Sequence, residues 1–563
     1  MPGALMQLAA EGAQNELVNG NPSMTHFRAV YRRHTNFAME HIRLTFTSSH
    51  LEFDATGTRT LSCRIDRYGQ LVNDCYLVLT LPDIWSPLKS VITAPPGYDT
   101  RCTAMGYEFQ WIKNIGYNLI DRIELTANGQ VLQTMTGEFM KLYSYLTHDQ
   151  TKRGLVDKMV GHVKEVYDPA NAFDRNGQYP HAVAVQSPLG LALPMTTVPE
   201  PSIRSRQLIV PLHFWFCENA GTALPLVSMQ NTDVFINVVL NPMINLYSIL
   251  DTNPINATFG TRIRPDASTL STFLSPPNLD GTPSNPTLTT FFPDPYIDAN
   301  FISLTEMELN QLALADQTVL MKEVIFVGNE NQFGPNTETV LPSRNLVTRI
   351  MFNARRSDKE AINDWDNYTN WDDPNRAPFT ANSSNVGTVL YSSGQYQVSS
   401  VFPRDTMVDS VLLFNGQERF YTKPSQYFSL LQSYRHTTGP SLPGIYMYSF
   451  ALNNDQYQPS GAFNSSKFDK ITLRMTMQQP LPAQTATGQV QVCILKSTVF
   501  NQNPTVIPPG NIGLYNPSDV VTVIKNTQNG AILFNYTYNV RVYIESYNFL
   551  RIVSGLANLV FAS

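Results

Sequence analysis

One stretch of this sequence occurs twice. The first copy runs from Asn118 to Leu146 (NLIDRIELTANGQVLQTMTGEFMKLYSYL) and the second from Met407 to Tyr434 (MVDSVLLFNGQERFYTKPSQYFSLLQSY). Leu119, Asp121, Ile123 and Leu125 align with Met407, Asp409, Val411 and Leu413, a spacing of 288. Their alternation along the chain is the period of a half-buried strand. Each copy then carries Asn-Gly, at Asn128-Gly129 and Asn415-Gly416. That pair tolerates the positive φ of a type I′ turn and is the strongest short hairpin signal. Beyond the turn the period becomes helical. Phe139, Leu142, Tyr143 and Leu146 stand at i, i+3, i+4 and i+7, and Tyr427, Leu430, Leu431 and Tyr434 repeat the stripe. Ser425 occupies the expected N-cap position. The pattern predicts a strand, turn, strand and helix used twice.

Further matches follow in the same order. Phe37–Leu44 pairs with Val319–Phe326, and Leu71–Leu79 pairs loosely with Leu346–Ala354. Phe216, Asn219 and Pro225 pair with Phe450, Asn453 and Pro459, and Phe301–Leu304 with Val540–Tyr543. A collinear duplication with variable loops implies two copies of one all-β domain in tandem. Many short strands separated by turn signals indicate a sandwich or jelly roll. The expected division is an arm over 1–28, a first unit over 29–317 and a second over 318–563. A short helix over Asn310–Gln317 joins the units. The arm is small and polar, too poor in large apolar side chains to pack a core. Three long segments, 147–206, 242–298 and 355–400, read as loops at the tips of the two units.

Composition narrows the function. Charged residues make up 15% of the 563-residue chain, against about 25% in ordinary soluble proteins. A surface poor in charge suits a protein largely covered by neighbours. The net charge of −6 and the lack of a basic arm argue against direct nucleic-acid binding; the densest basic spot is Arg32-Arg33-His34. The five cysteines, Cys63, Cys75, Cys102, Cys217 and Cys493, form no CxxC and no framework, which points to a reducing compartment. The N-terminus has no signal-peptide pattern, and no apolar run approaches a membrane span. Five sequons occur, at Asn256, Asn367, Asn382, Asn464 and Asn535.

The motifs that scaffold common catalytic chemistry are missing. There is no GxxxxGK[ST], GxSxG or HExxH. His34 and His41 read as loop and sheet-surface residues. The cluster Asp364, Trp365, Asp366, Trp371, Asp372 and Asp373 offers carboxylates for Ca²⁺ and indoles for a sugar, but lacks calcium-loop spacing. It reads as a solvated loop on the outer tip of the second unit. Arg32, Arg33, Arg355 and Arg356 read as exposed arginine pairs at strand ends. No catalytic, cofactor-binding or metal-binding residue is assigned, and no cofactor is expected.

Four separated motifs carry a resemblance. They are Gly20-Asn21-Pro22 with Val30-Tyr31-Arg32-Arg33-His34-Thr35-Asn36-Phe37; Phe214-Trp215-Phe216-Cys217 with Ala223-Leu224-Pro225-Leu226; Tyr448-Ser449-Phe450-Ala451-Leu452 with Gln458-Pro459-Ser460-Gly461; and Tyr547-Asn548-Phe549-Leu550-Arg551-Ile552-Val553-Ser554-Gly555. In this order they resemble the major capsid proteins of nucleocytoplasmic large DNA viruses. The resemblance implies an all-β double jelly roll, two tandem eight-stranded sandwiches with short helices and long surface loops. It also implies a non-enzymatic structural subunit that trimerises into pseudo-hexameric capsomers tiling an icosahedral shell. The implied partners are neighbouring capsomers and minor capsid and penton proteins, with the inner face near an internal viral membrane. The implied location is the virion, assembled in the host cytoplasm. The alternatives are a minor capsid paralogue, a carbohydrate-binding jelly roll of the virion surface, or a glycan hydrolase. The last needs a facing carboxylate pair, and the sequence shows no convincing one.

Overall fold

The computed structural model describes residues 3–48, 50–86, 89–90, 104–105, 107–182, 200–251, 262–266, 269–277, 285, 288–371, 404–478, 493–495, 520–522 and 536–561. The Asn-Gly hairpins form as the sequence dictates. Strand β4 (Ile120–Ala127) turns into β5 (Gln130–Thr136), and β13 (Met407–Phe414) turns into β14 (Gln417–Glu418) and β15 (Lys423–Pro424). Asn128 and Gly129 have φ of 47° and 81°, and Asn415 and Gly416 have 49° and 82°. A Cβ on either glycine would meet nothing within 4 Å, so the turn needs glycine for its backbone angle and not for space. Each asparagine also clasps the strand beside it. Asn128 N donates to Asp233 O at 3.0 Å while Asp233 N donates to Asn128 Oδ1 at 2.9 Å. Asn415 and Lys470 exchange the same two bonds at 2.8 and 3.0 Å.

Around these hairpins the chain builds the same pair of sheets twice. In the first half β1 (Phe37–Thr45), β9 (Tyr296–Leu304) and β3 (Leu71–Leu81) lie in that order, with β6 (Arg206–Pro211) and β7 (Leu224–Pro225) on the far edge of β3. The opposing sheet runs β2 (Arg59–Arg64), β8 (Val234–Leu240), β4, β5. In the second half β10 (Gln317–Gln332), β19 (Tyr538–Val553), β12 (Leu346–Arg356) and β16 (Ile445–Ser449) repeat the first sheet, with β17 (Phe463–Asn464) beside β12. Strands β11 (Asn336–Leu341), β18 (Ile471–Met477), β13 and β14 repeat the second. Every pairing among the described residues is antiparallel, and the strand order is that of a jelly roll.

The helix joining the halves is Glu306–Leu314, four residues earlier than expected at its start, because Thr305 follows β9 as the N-cap residue and precedes two acidic residues in the first turn. Residues 3–9 and 13–19 of the arm are helical, and every described arm residue is exposed. The segment 242–298 is not only surface. Met243, Leu246, Tyr247, Leu270 and Phe273 join the first core, with Tyr247 stacked on Phe109 at 4.7 Å.

The duplication holds, but its register differs from the aligned spacing. Asp121 is the bulged residue of β4 against β8, and Val408 is the bulged residue of β13 against β18. These equivalents stand 287 apart, as do the two asparagines, so the strand alignment at 288 is one residue out. The match of β1 with β10 carries the same slip. Leu44 points into the first core, whereas the second core takes Ile325 and Val327 and leaves Phe326 exposed. The match of Phe301–Leu304 with Val540–Tyr543 names equivalent strands at the wrong height. Leu304 faces Phe37 at the start of β1, and it is Ile552 that faces Gln317 at the start of β10.

The two helices also diverge. Helix α1 (Gly137–Thr147) is capped by Thr136, whose Oγ1 accepts from Phe139 N at 3.1 Å, and its whole apolar stripe is buried. The second begins at Ser425, which is therefore not a cap; its hydroxyl donates to Asp405 at 2.5 Å. A π-helical turn over Tyr427–Leu431 precedes α2 (Gln432–His436). The wider turn rotates the helix, so Phe428, Ser429, Gln432 and Ser433 are buried. Leu430, Leu431 and Tyr434 are left 61%, 45% and 86% exposed.

Candidate functional site at the junction of the two halves

Two cores result from this arrangement, and the larger crosses the boundary. Val72, Leu77, Ile123 and Ile236 form its centre, yet Met351, Ile445, Met447 and Tyr543 of the second half belong to it. These four sit on the outer face of the second half's first sheet, which the first half covers. Burying each is worth about 1.5–3 kcal/mol. The second core, around Phe352, Leu412, Leu473 and Val542, stays within its own sandwich.

Helix α1 supplies the charged part of the contact. Glu138 and Lys141 are three residues apart, hence on one face. Glu138 Oε1 accepts from Asn353 Nδ2 at 3.2 Å and Tyr368 OH at 2.9 Å. Its Oε2 accepts from Arg541 Nη1 at 2.7 Å and Tyr543 OH at 2.9 Å, with Arg355 at 3.6 Å. All five partners come from the second half. Burial alone would raise this carboxyl, but Arg355, Arg541 and Lys141 hold it far below the usual carboxylate range. Lys141, fully buried, pairs with Asp366, which also accepts from Asn114 at 2.7 Å and Asn118 at 3.0 Å. Against the cost of burial, Lys141 and these amides keep Asp366 ionised.

A second charged cluster lines the contact. Arg349 Nε donates to Glu545 at 2.6 Å, Lys322 lies 3.4 Å from the same carboxylate, and the Arg349 guanidinium stands 5.3 Å from the Tyr143 ring of α1. Beside it a cavity of about 310 Å³ opens between Phe139, Tyr143 and Trp215 on one side and Leu320, Lys322 and Tyr457 on the other. The helix end is closed by the second half as well. Gly439 N donates to Leu146 O at 2.7 Å and Thr438 Oγ1 to Thr147 O at 2.9 Å, which satisfies carbonyls a helix C-terminus leaves unpaired.

The loop read as a solvated tip is therefore part of this contact. Trp365 Nε1 donates to Asn245 O at 2.9 Å, and Asn363 Nδ2 to Ile244 O and Tyr247 O at 2.7 and 2.8 Å, all first-half carbonyls. Asp364 is half-buried, and desolvation pushes its carboxyl up. Trp371 is half-buried; Asp372 and Asp373, with the rest of 372–403, lie outside the described residues. Among the described residues no group of three His, Cys, Asp or Glu is placed to hold a metal. Arg355 and Arg356 are likewise buried and not exposed strand-end pairs. Arg355 donates to Glu360 at 2.9 Å and Trp365 O at 2.5 Å, and Arg356 holds Asp358 with two bonds at 3.0 and 2.8 Å. Arg32, Arg33 and His34 are exposed, and His41 on β1 lies 3.5 Å from Asp298. Cys63 and Cys75 are buried thiols and Cys217 is half-buried. Of the sequons, Asn367 is fully buried and bonded to Asp364, whereas Asn464 is exposed.

Glu138, Lys141, Arg349 and Glu545 do not stand out in the sequence read locally. A signal existed. Arg349, Asn353 and Arg355 share one parity of β12, and Arg541 and Glu545 share one parity of β19, in a chain otherwise sparing with charge. Chemically the arrangement is a lock. A general acid or base needs a pKa near the working pH. Glu138, Asp366 and Glu545 are instead held ionised by buried cations.

Fold and junction together define a double jelly roll, two sandwiches of one topology fixed side by side. Comparison with known proteins gives the family. The model of the major capsid protein N-terminus matches residues 25–274, and that of the large eukaryotic DNA virus major capsid protein matches residues 308–507. The chain belongs to this family of major capsid proteins. It is 27% identical over 559 residues to the major capsid protein of Phaeocystis pouchetii virus, covering 89% of this chain and 98% of that one. It is 24% identical over 566 residues to that of Paramecium bursaria Chlorella virus 1, covering 100% of both. Among solved structures, the PBCV-1 virus capsid superposes with a TM-score of 0.58 at 20% identity, over 96% of this chain and 100% of that one. The Faustovirus major capsid protein gives 0.58 at 13%, over 94% and 93%.

Proposed function

We propose that this chain is the principal building block of an icosahedral viral shell and acts without catalysis, by self-association. The observation that carries the reading is the duplicated jelly roll locked by a buried ionic junction, in a chain that belongs to a capsid protein family. The chain divides into an arm over 1–28, a first sandwich over 29–317 and a second over 318–563. Three chains present six similar sandwiches and so approximate a hexagonal capsomer. The capsomers contact one another, minor capsid and penton proteins, and on the inner side the arm and a viral membrane. Assembly takes place in the host cytoplasm, and the finished location is the virion. The carbohydrate-binding alternative loses its best support, because Trp365 is bonded within the chain.

Light scattering on purified protein tests this. The expected mass is three times 63.2 kDa, with interfaces of roughly 2,000–5,000 Å². In purified particles this chain should dominate the protein mass. A stable single copy at micromolar concentration, or a trace level in particles, would refute the proposal.

A further inference from the structure

The cavity between the halves has the make-up of a binding site. It holds about 310 Å³, within the roughly 300–1,000 Å³ usual for small-molecule pockets. Five aromatic side chains wall it, Phe139, Tyr143 and Trp215 from the first half and Tyr457 and Tyr547 from the second. Three carboxylates line it, Glu218, Asp455 and Glu545, against one lining cation, Lys322. Burial pushes His213, also on the wall, down to about 3 and so keeps it neutral. The charges inside are incompletely matched. Arg349, behind the wall, donates to Glu545 Oε2 at 2.6 Å and stands 3.5 Å from Asp455 Oδ1. Lys322 gives its hydrogen bond to Asn454 O at 2.7 Å and approaches Glu545 Oε1 only to 3.4 Å. Two cations thus serve two carboxylates. Glu218, exposed at the rim, has no ion-pair partner within 4 Å among the described residues; its neighbour is the Tyr143 hydroxyl. Glu545 is 1% exposed, yet its Oε1 has no hydrogen-bond donor, and neither has the buried Asp455 Oδ1. The Nη atoms of Arg349 are unbonded too, but Arg349 does not line the cavity.

We propose that this cavity binds a small organic cation, an ammonium or guanidinium head on a short apolar stem. The head supplies the donors that Glu545 Oε1 and Asp455 Oδ1 lack and the counter-charge that Glu218 lacks. Aromatic faces attract a cation through their quadrupole, most strongly where water is excluded. The stem lies against Leu320 and Val324, which line the same cavity. A neutral ligand would leave the surplus negative charge unmatched, and an anion would add to it. Because the walls come from both halves, an occupant ties the two sandwiches together and stabilises the folded chain by mass action. The site does not depend on self-association, so its failure would leave the shell reading standing.

The test is calorimetric titration of the full-length chain with butylammonium, butylguanidinium, Nα-acetyl-arginine amide and, as neutral control, 1-butanol. A butyl cation should bind one site per chain with a Kd of about 1 mM or tighter, within reach of so few atoms, and should raise the unfolding temperature. Glu218→Gln should weaken that binding by about tenfold or more, as expected for loss of a charged hydrogen-bond partner. Glu218→Lys, which brings its own ammonium to the rim, should abolish it. Glu218 is exposed, so both variants should unfold at the parent's temperature without ligand. Binding of acetyl-arginine amide as tight as that of butylguanidinium would support a basic side chain of a polypeptide as the natural occupant. Binding of the butyl cations alone would support a free cation. Butanol binding as tightly as butylammonium, no binding of either butyl cation, or binding unchanged in Glu218→Lys would overturn the proposal.

Discussion

Replacing Glu138 by Gln probes the junction at its most connected point. The carboxylate accepts four hydrogen bonds and faces Arg355 and Arg541, all from the second half. The amide would keep the shape, but an acceptor oxygen is exchanged for a donor pointed at Arg541 or Tyr543, and buried Arg355 and half-buried Arg541 are left to share the single carboxylate of Glu360. Breaking a buried ion pair from one side costs about 3–5 kcal/mol. Arg541→Met in the same chain removes one of the two cations left sharing Glu360, so the double variant should recover roughly half of that loss. The assay is urea unfolding of single and double variants. The pH dependence has a definite sign. The folded-state value of Glu138 lies below its ordinary value of 4.5, so its contribution is fully present above that value. It disappears only as pH falls through the much lower folded value. The gap between parent and Glu138→Gln should therefore stay flat from pH 9 to about pH 5 and narrow only in stronger acid. A loss under about 1 kcal/mol, or a gap that shrinks between pH 7 and pH 5, would refute the account of the junction.

Two further outcomes follow from single residues. Glu108, whose carboxyl burial raises to about 7, behaves oppositely to Glu138: the chain should lose up to about 3 kcal/mol as pH rises from 4.5 past 7, and Glu108→Gln should flatten that slope in unfolding measured between pH 5 and 8. Gly439→Ala should destabilise by about 1–3 kcal/mol without altering helix content by circular dichroism, because the new Cβ would sit 2.3 Å from Tyr145 O and 2.6 Å from His148 O.

The fold was legible because its signals are local. Asn-Gly needs no distant information to turn, and alternation needs none to make a strand. The register was less legible, and the failure has one physical form. A strand shows its inward face only when the other face is wet. On β10 the first half covers the outer face, so Leu320 and Val324 are as apolar as Ile325 and Val327, and similarity alone aligns the wrong parity. The junction was hidden for another reason. Asp364-Trp365-Asp366 looks solvated when read locally, because Lys141, which allows Asp366 to be buried, lies 225 residues away. The exposed stripe of the second helix was unreadable because a π turn, which spacing does not announce, rotates it.

The closed end of helix α1 bears on how force passes through the chain. Linked domains usually meet over a modest polar surface and swing about a linker. Here a hinge motion would have to strip Leu146 O and Thr147 O from Gly439 and Thr438 while it pulled Glu138 from Arg541 and Lys141 from Asp366. Those losses come together, because the groups sit on one rigid helix. The chain therefore responds to bending as a single stiff plate, and flexure of an assembled wall is confined to the seams between chains.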